Sequence, residues 1–138
     1  MMKTEDILQQ LNELPVAGSK IAVGNDIVHL PTFIHSLTPQ FIKRSYSPAE
    51  LAYCEQFAES TLRYASTWAA KEAVYKALKQ ADDTIKLWWP DIEIHRPKPQ
   101  GKPTVRIKKL KTPLDFSLTI THDGEYIWAL AVCLYHSV

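Results

Sequence analysis

The stretch Thr67–Lys79, TWAAKEAVYKALK, constrains the fold more than any other part of the chain. It reads as a helix built on alanine. At about 100° per residue, Ala65, Ala69, Ala73 and Ala77 form one stripe of small side chains, which lets another backbone approach closely. Trp68, Glu72, Lys76 and Lys79 stand on the neighbouring stripe. An acid among alanines has a plain explanation. Glu72 and Lys76 are four residues apart, and a surface ion pair at that spacing contributes about 0.3 kcal/mol. The other explanation is that the helix lines a cleft where Glu72 meets a cation. The helix alone favours the first.

The flanking sequence supplies the other elements. Thr4 is placed to cap a first amphipathic helix carrying Ile7, Leu8, Leu11 and Leu14, ended by Pro15. Residues 1–19 read as a helical extension, with a single domain over 20–138. Lys20–Leu30 is rich in β-branched residues and reads as a strand. Gly24 in its middle signals a bulge or a close backbone approach. Residues 31–44 suggest helix or helical turns. Ser47-Pro48-Ala49-Glu50 is a helix start with a capping box and proline at the first helical position. A longer helical pattern spans about Leu62–Gln80. Leu87–His95 and Thr104–Leu110 read as strands joined by a proline-rich loop. Phe116–Thr121 and Tyr126–Tyr135 read as a hairpin signalled by Asp123-Gly124.

A strand, then several helices, then a run of strands favours an α+β fold with an antiparallel sheet and helices packed on it. The 138 residues suit one domain with its own core. A net charge of +1 gives no whole-molecule steering toward nucleic acid or membrane. The charge is uneven, however: His95–Lys111 holds seven Lys/Arg and no acid. No apolar run approaches the ~20 residues that span a bilayer. Cys54 and Cys133 lack metal-ligand spacing and read as reduced thiols. A cytoplasmic location, without a membrane or nucleic-acid partner, is the expectation.

Asp26 is the second candidate residue. It is bracketed by Ile21-Ala22-Val23 and Ile27-Val28, and a buried carboxylate needs a partner. Mg²⁺ is one such partner, because it takes oxygen ligands and usually only one or two carboxylates. Asp26 and Glu72 would supply two from different elements. A plain turn at Gly24-Asn25-Asp26 is the alternative. His122-Asp123 and Gly101-Lys102-Pro103 read locally as a hairpin turn and a loop.

The order of these motifs carries more than any one of them. VGNDIV at 23–28, FIKRSYSPAEL at 41–51, WAAKEAVYKAL at 68–78, GKP at 101–103 and ITHDGEYIWALAV at 120–132 together resemble the 4′-phosphopantetheinyl transferases, most nearly the small holo-acyl-carrier-protein synthase type. The resemblance runs from Val23 to Val132.

The resemblance implies transfer of the phosphopantetheine arm of coenzyme A to a serine hydroxyl of an acyl or peptidyl carrier protein, releasing adenosine 3′,5′-bisphosphate. It implies Asp26 and Glu72 as Mg²⁺ ligands, with Asp26, Glu72, Lys76 and His122 as the catalytic set. Arg44, Lys71, Lys76, Lys102, His122 and Asp123 are the residues implied to contact coenzyme A, with a structural role as the alternative for Lys71. The base that takes the serine proton is left open between Glu72, directly or through a water, and His122 with Asp123. A homotrimer with sites between subunits is also implied. His122 and the Lys102 loop would then face the Asp26 and Glu72 of a neighbouring copy.

This chain departs from the pattern in two places. Thr67 stands where the small type usually has an arginine, which opens the coenzyme A anchor to Arg63, Arg44 or the basic stripe. His29, Pro31, Thr32 and His35 stand where acidic and basic residues usually follow the aspartate. Two rival readings follow. One is a non-catalytic relative that binds coenzyme A or a carrier protein. The other is a nucleic-acid-binding domain using the basic stripe beside Trp88 and Trp89.

Overall fold

The computed structural model describes residues 2–12, 19–97, 101–110 and 114–136. In chain order these form α1 (Thr4–Asn12), β1 (Ser19–His29), α2 (Leu30–Ile34), α3 (Pro39–Ser45), α4 (Pro48–Cys54), α5 (Ser60–Ala81), β2 (Ile92–His95), β3 (Thr104–Ile107), β4 (Asp115–Asp123) and β5 (Tyr126–His136). The fold is α+β, as the element order predicts.

The main sheet is antiparallel with strand order β1-β5-β4, and α5 packs across its inner face. The β1–β5 register is unbroken from Ser19↔His136 to His29↔Tyr126, so Gly24 makes no bulge. It makes the close approach instead. A Cβ on Gly24 would lie 2.0 Å from the Ala73 carbonyl oxygen and 2.5 Å from the Ala77 nitrogen. Ala65, Ala69, Ala73 and Ala77 are all fully buried. The small-residue stripe and the strand glycine are therefore two halves of one main-chain contact.

β2 and β3 form a separate two-stranded ladder, where the sequence suggests longer strands. Pro90 cannot donate to a ladder, and Trp89–Asp91 is a 3-10 turn, so the strand begins only at Ile92. The second strand stops at Ile107, before Lys109, which has a left-handed φ of 71°. In the β4–β5 hairpin, Asp123 pairs with Tyr126. The two-residue loop is thus Gly124-Glu125, with Gly124 at φ 57°, and Asp123 ends the strand rather than making the turn.

Helical signals 31–44 resolve into α2 and α3, the latter capped by Thr38, whose hydroxyl accepts from the Phe41 N–H at 3.1 Å. The Ser47 capping box is formed in both directions. α1 starts at Thr4 itself, and the Lys3 N–H donates to Asp6 Oδ2 at 3.2 Å. Ile7 and Leu8 of α1 are exposed, while Leu14 and Pro15 fall outside the described residues. Phe41 and Tyr46 pack edge-on around Trp68, which also meets Trp89, and this aromatic cluster seats α3 and the 3-10 turn against α5.

Candidate active site

The inner face of β1 carries Ala22, Gly24, Asp26 and Val28, because alternate residues face the same side. Asp26 thus points toward α5, and the Gly24 contact holds the two elements close. Asp26 Oδ1 accepts from Lys76 Nζ at 3.0 Å, and the same ammonium donates to the Asn25 carbonyl at 3.1 Å. Asp26 is 9% exposed, and its Oδ2 is buried without a hydrogen-bond partner.

Glu72 lies one helical turn before Lys76, beside Asp26. Burial, and then the neighbouring Asp26 carboxyl, push the Glu72 carboxyl up to about 7 against the opposing pull of Lys76. Two carboxyl groups this close hold a proton that a cation can replace. The oxygen donors fit a hard divalent ion, with one orphaned buried oxygen on Asp26 and the Glu72 carboxyl beside it. Among the described residues no group of three or more His, Cys, Asp or Glu could hold a metal, so Asp26 and Glu72 are the two carboxylates the described site offers. Mg²⁺ tolerates this, since waters and phosphate oxygens usually fill its other positions.

Lys71 takes the structural of its two expected roles. Its side chain is fully buried, its Nζ lies 2.7 Å from Glu50 Oε1, and it also donates to the Ile92 carbonyl. Desolvation lowers its affinity for a proton, and Glu50 opposes that. With no exposed surface and its donors engaged, it cannot contact a cofactor. Glu50 also accepts from the Ser47 and Ile94 N–H groups at 2.8 and 2.9 Å, so one carboxylate ties α4, α5 and β2 together. Sequence reasoning placed Glu50 in the capping box and missed its burial. The signal was the spacing of Glu50 from Ser47 together with a lysine beside the alanine stripe.

The remaining predicted residues lie elsewhere. His122 is exposed on β4, and Asp123 ends that strand beside the turn. Asp26 pairs with Ala129, and Ala129 with Ile120, so β5 separates Asp26 from β4. By strand spacing and rise, His122 and Asp26 are about 12 Å apart at the backbone. His122 lines a pocket of about 200 Å³ with Arg63, Arg96 and Pro103. Lys102 is exposed on the loop at its edge. Arg44 lines a different cleft of about 410 Å³ with Phe41, Trp68 and Trp88.

Thr67 is 2% exposed, and its hydroxyl donates to the Arg63 carbonyl at 2.8 Å, so it presents nothing to a ligand. His29 joins Thr32 Oγ1 at 2.7 Å and Glu125 Oε2 at 3.1 Å, tying the end of β1 to the hairpin turn. The basic stripe is partly neutralised, with Lys108 beside Glu93 at 3.5 Å and Lys109 beside Asp91 at 3.0 Å.

The family model described as the 4′-phosphopantetheinyl transferase superfamily matches residues 22–131. A holo-[acyl-carrier-protein] synthase of Koribacter versatilis is 36% identical over 88 residues, covering 62% of this chain and 69% of that one. The fatty acid synthase subunit alpha of Lachancea kluyveri is 32% identical over 136 residues, covering 94% of this chain but only 7% of that much longer one. The solved ACPS–CoA complex of Chronobacterium ammoniagenes superposes with a TM-score of 0.73 at 27% identity, covering 86% of this chain and 99% of that one. The chain belongs to the 4′-phosphopantetheinyl transferase superfamily and is an enzyme of the holo-acyl-carrier-protein synthase type.

Proposed function

We propose that this protein transfers the 4′-phosphopantetheine moiety of coenzyme A to a serine hydroxyl of an apo acyl or peptidyl carrier protein, with Mg²⁺, releasing adenosine 3′,5′-bisphosphate. The observation that carries the metal and phosphate part is the buried, unpartnered Asp26 Oδ2 beside Glu72 and Lys76. Asp26 and Glu72 would hold the ion. When bound, Mg²⁺ supplies charge neutralisation at the phosphate oxygens, the main need of a phosphoryl-transfer transition state. Lys76, whose side chain is 54% exposed, adds a mobile positive charge for the diphosphate. The attacking serine must lose a proton. Glu72, whose carboxyl is pushed up to about 7, and His122 are the candidate acceptors.

We also propose a homotrimer. The outer face of β1 and β5 supports it, because Ile21, Val23, Ile27 and Trp128 are 65%, 42%, 60% and 48% exposed on one side of the sheet. A contiguous apolar face on a small enzyme marks an interface. Self-association would also bring the His122 pocket, with Lys102 and Asp123, toward the Asp26–Glu72 pair of a neighbouring copy. Arg44 remains a candidate contact for coenzyme A from its own cleft. Residues 1–19 are proposed as an appendage to a single domain at 20–138, and the working location as the cytoplasm. Among the described residues no helix is long and apolar enough to cross a membrane.

The test is a mass measurement. Purified protein, coenzyme A, Mg²⁺ and a panel of apo-carrier proteins are combined and the carrier mass is followed. One phosphopantetheine gained on a carrier, and lost with EDTA, is the expected result. Coenzyme A binding without transfer to any carrier would instead support a binding-only relative.

A further inference from the structure

The N-terminal helix α1 is amphipathic, and its apolar stripe faces water. Ile7 and Leu8 are exposed, and none of the main packing contacts among the described elements involves α1. Its first turn carries Glu5 and Asp6, and its last turn carries no base. The family match begins at residue 22, so the shared fold gives no account of this helix.

A second surface is also incomplete. Leu87 and Trp88 line a cleft of about 410 Å³ with Phe41, Trp68 and Trp89, and Trp88 is 67% exposed. The charges at this cleft are positive, from Arg44 in its lining and Lys86 beside Leu87 and Trp88. Ser45 lines it too, and its hydroxyl is buried without a hydrogen-bond partner. Clustered exposed aromatics beside an orphaned polar atom mark a face that something covers.

The helix and the cleft are complementary. Ile7 and Leu8 match the aromatic walls, and the acids Glu5 and Asp6 match Arg44 and Lys86 in charge. Gln10 neighbours Ile7 on the helix surface, and an amide can satisfy the Ser45 hydroxyl. The two are also within reach of each other. The Val23 N–H donates to Gln80 Oε1 at 2.6 Å, which fixes β1 beside the end of α5, and Trp89 packs on Tyr75 of the same helix. By strand and helix rise, the start of β1 is about 20 Å from the cleft. Residues 13–18, which join α1 to β1, span up to about 24 Å.

We propose that α1 folds onto the Trp88 cleft of its own chain and restricts the approach to Glu72. Trp68 stands one turn before Glu72 on α5, so a helix seated in the cleft obstructs a carrier protein that presents its serine there. This control of access rests on the transferase reading, and the docking itself does not. A short tether holds α1 at an effective concentration in the millimolar range, so even a weak contact is formed about half of the time. The apparent affinity for a carrier falls in proportion to the uncovered fraction.

Acrylamide quenching of Trp88 in the full chain, taken as the difference from Trp88→Phe, tests the docking. Leu8→Asp on the helix and Lys86→Glu on the cleft, the second leaving α1 itself intact, are each expected to raise that quenching about twofold. Both are expected to lower KM for a carrier about twofold with kcat unchanged. Equal quenching in the wild type and both variants overturns the cover. Shielding that is absent from monomeric Ile27→Asp assigns the helix to a neighbouring copy and overturns the intrachain contact. Raised quenching with an unchanged KM overturns the control of carrier access. Absence of transfer by the wild type to any carrier overturns the transferase reading, and quenching then still decides the docking.

Discussion

Lys71 Nζ and Glu50 Oε1 lie 2.7 Å apart with no solvent access to either side chain. The pair joins α5 to the start of α4, and Glu50 extends the tie to β2 through the Ile94 N–H. Removing one partner leaves an uncompensated buried charge, so Lys71→Met or Glu50→Gln is expected to destabilise by about 3–5 kcal/mol. The double change Glu50→Gln with Lys71→Met is expected to recover part of that loss. Urea unfolding of the three variants measures the coupling, and strictly additive losses would contradict a direct pair.

Gly24→Ala is expected to be among the most damaging small substitutions in the chain. The new methyl meets main-chain atoms of Ala73 and Ala77 at 2.0 and 2.5 Å, and backbone cannot rotate away as a side chain can. Overpacking usually costs about 1–3 kcal/mol, and a clash against a helix backbone belongs at or above the top of that range. Thermal unfolding is the readout. A melting temperature unchanged from wild type would show that β1 and α5 are not in main-chain contact.

Glu72→Gln is expected to lower transfer at least about a hundredfold while the far-ultraviolet circular dichroism spectrum stays native. Substituting an amide preserves volume but removes the charge that the proposed ion needs. His122→Ala provides the contrast. If His122 is the base, its loss removes the pH dependence of kcat attributable to a proton acceptor, whereas the Glu72 variant retains it at a residual rate.

The Glu72–Asp26 pair also predicts a pH dependence of stability without divalent cations. The Glu72 carboxyl rises from its ordinary 4.5 to about 7 in the folded protein. The folded state therefore holds a proton that the unfolded state has released. That contribution is fully present below about pH 4.5 and is lost as pH rises toward about 7. Thermal melts in EDTA should reveal the decline after subtraction of the Glu72→Gln profile. Saturating Mg²⁺ should offset it, because an ion binds the ionised pair. A difference profile that is flat across this window would argue against carboxyl contact.

Ile27→Asp on the outer sheet face is expected to convert the proposed trimer to monomer, since it puts a charge into an apolar interface while Ile27 is 60% exposed in the single chain. Light scattering during size-exclusion chromatography reports the mass. A wild-type protein that is monomeric at working concentration would remove the reason for the exposed face.

Much of this molecule is legible in the sequence. β-branched residues mark β1, Asp123-Gly124 marks the β4–β5 hairpin, the Ser47-to-Glu50 spacing marks the capping box, and the alanine stripe of α5 predicts a close neighbour. Asp26 and Glu72 stand out because each is an acid in the wrong setting. What is not legible is tertiary in origin. Lys71 and Glu72 are adjacent, and only packing sends one into the core with Glu50 and the other toward Asp26. Arg63 and Arg96 are far apart in sequence and meet only across Tyr53. The strand signal at Leu87–Asp91 fails because Pro90 and the packing of Trp89 against Trp68 and Tyr75 outweigh local propensity.

The order β1-β5-β4 has a consequence for how the protein comes into being on the ribosome. Among the described residues β1 lies at the sheet edge and pairs only with β5, about a hundred residues later in synthesis. Asp26 therefore emerges early but is locked into its cross-strand register only when Tyr126–His136 becomes available. Translation products interrupted before Tyr126 carry both acids and the lysine, yet lack the strand that aligns them. Such fragments are expected to be inert toward coenzyme A, so abandoned chains would neither sequester the cofactor nor modify a carrier.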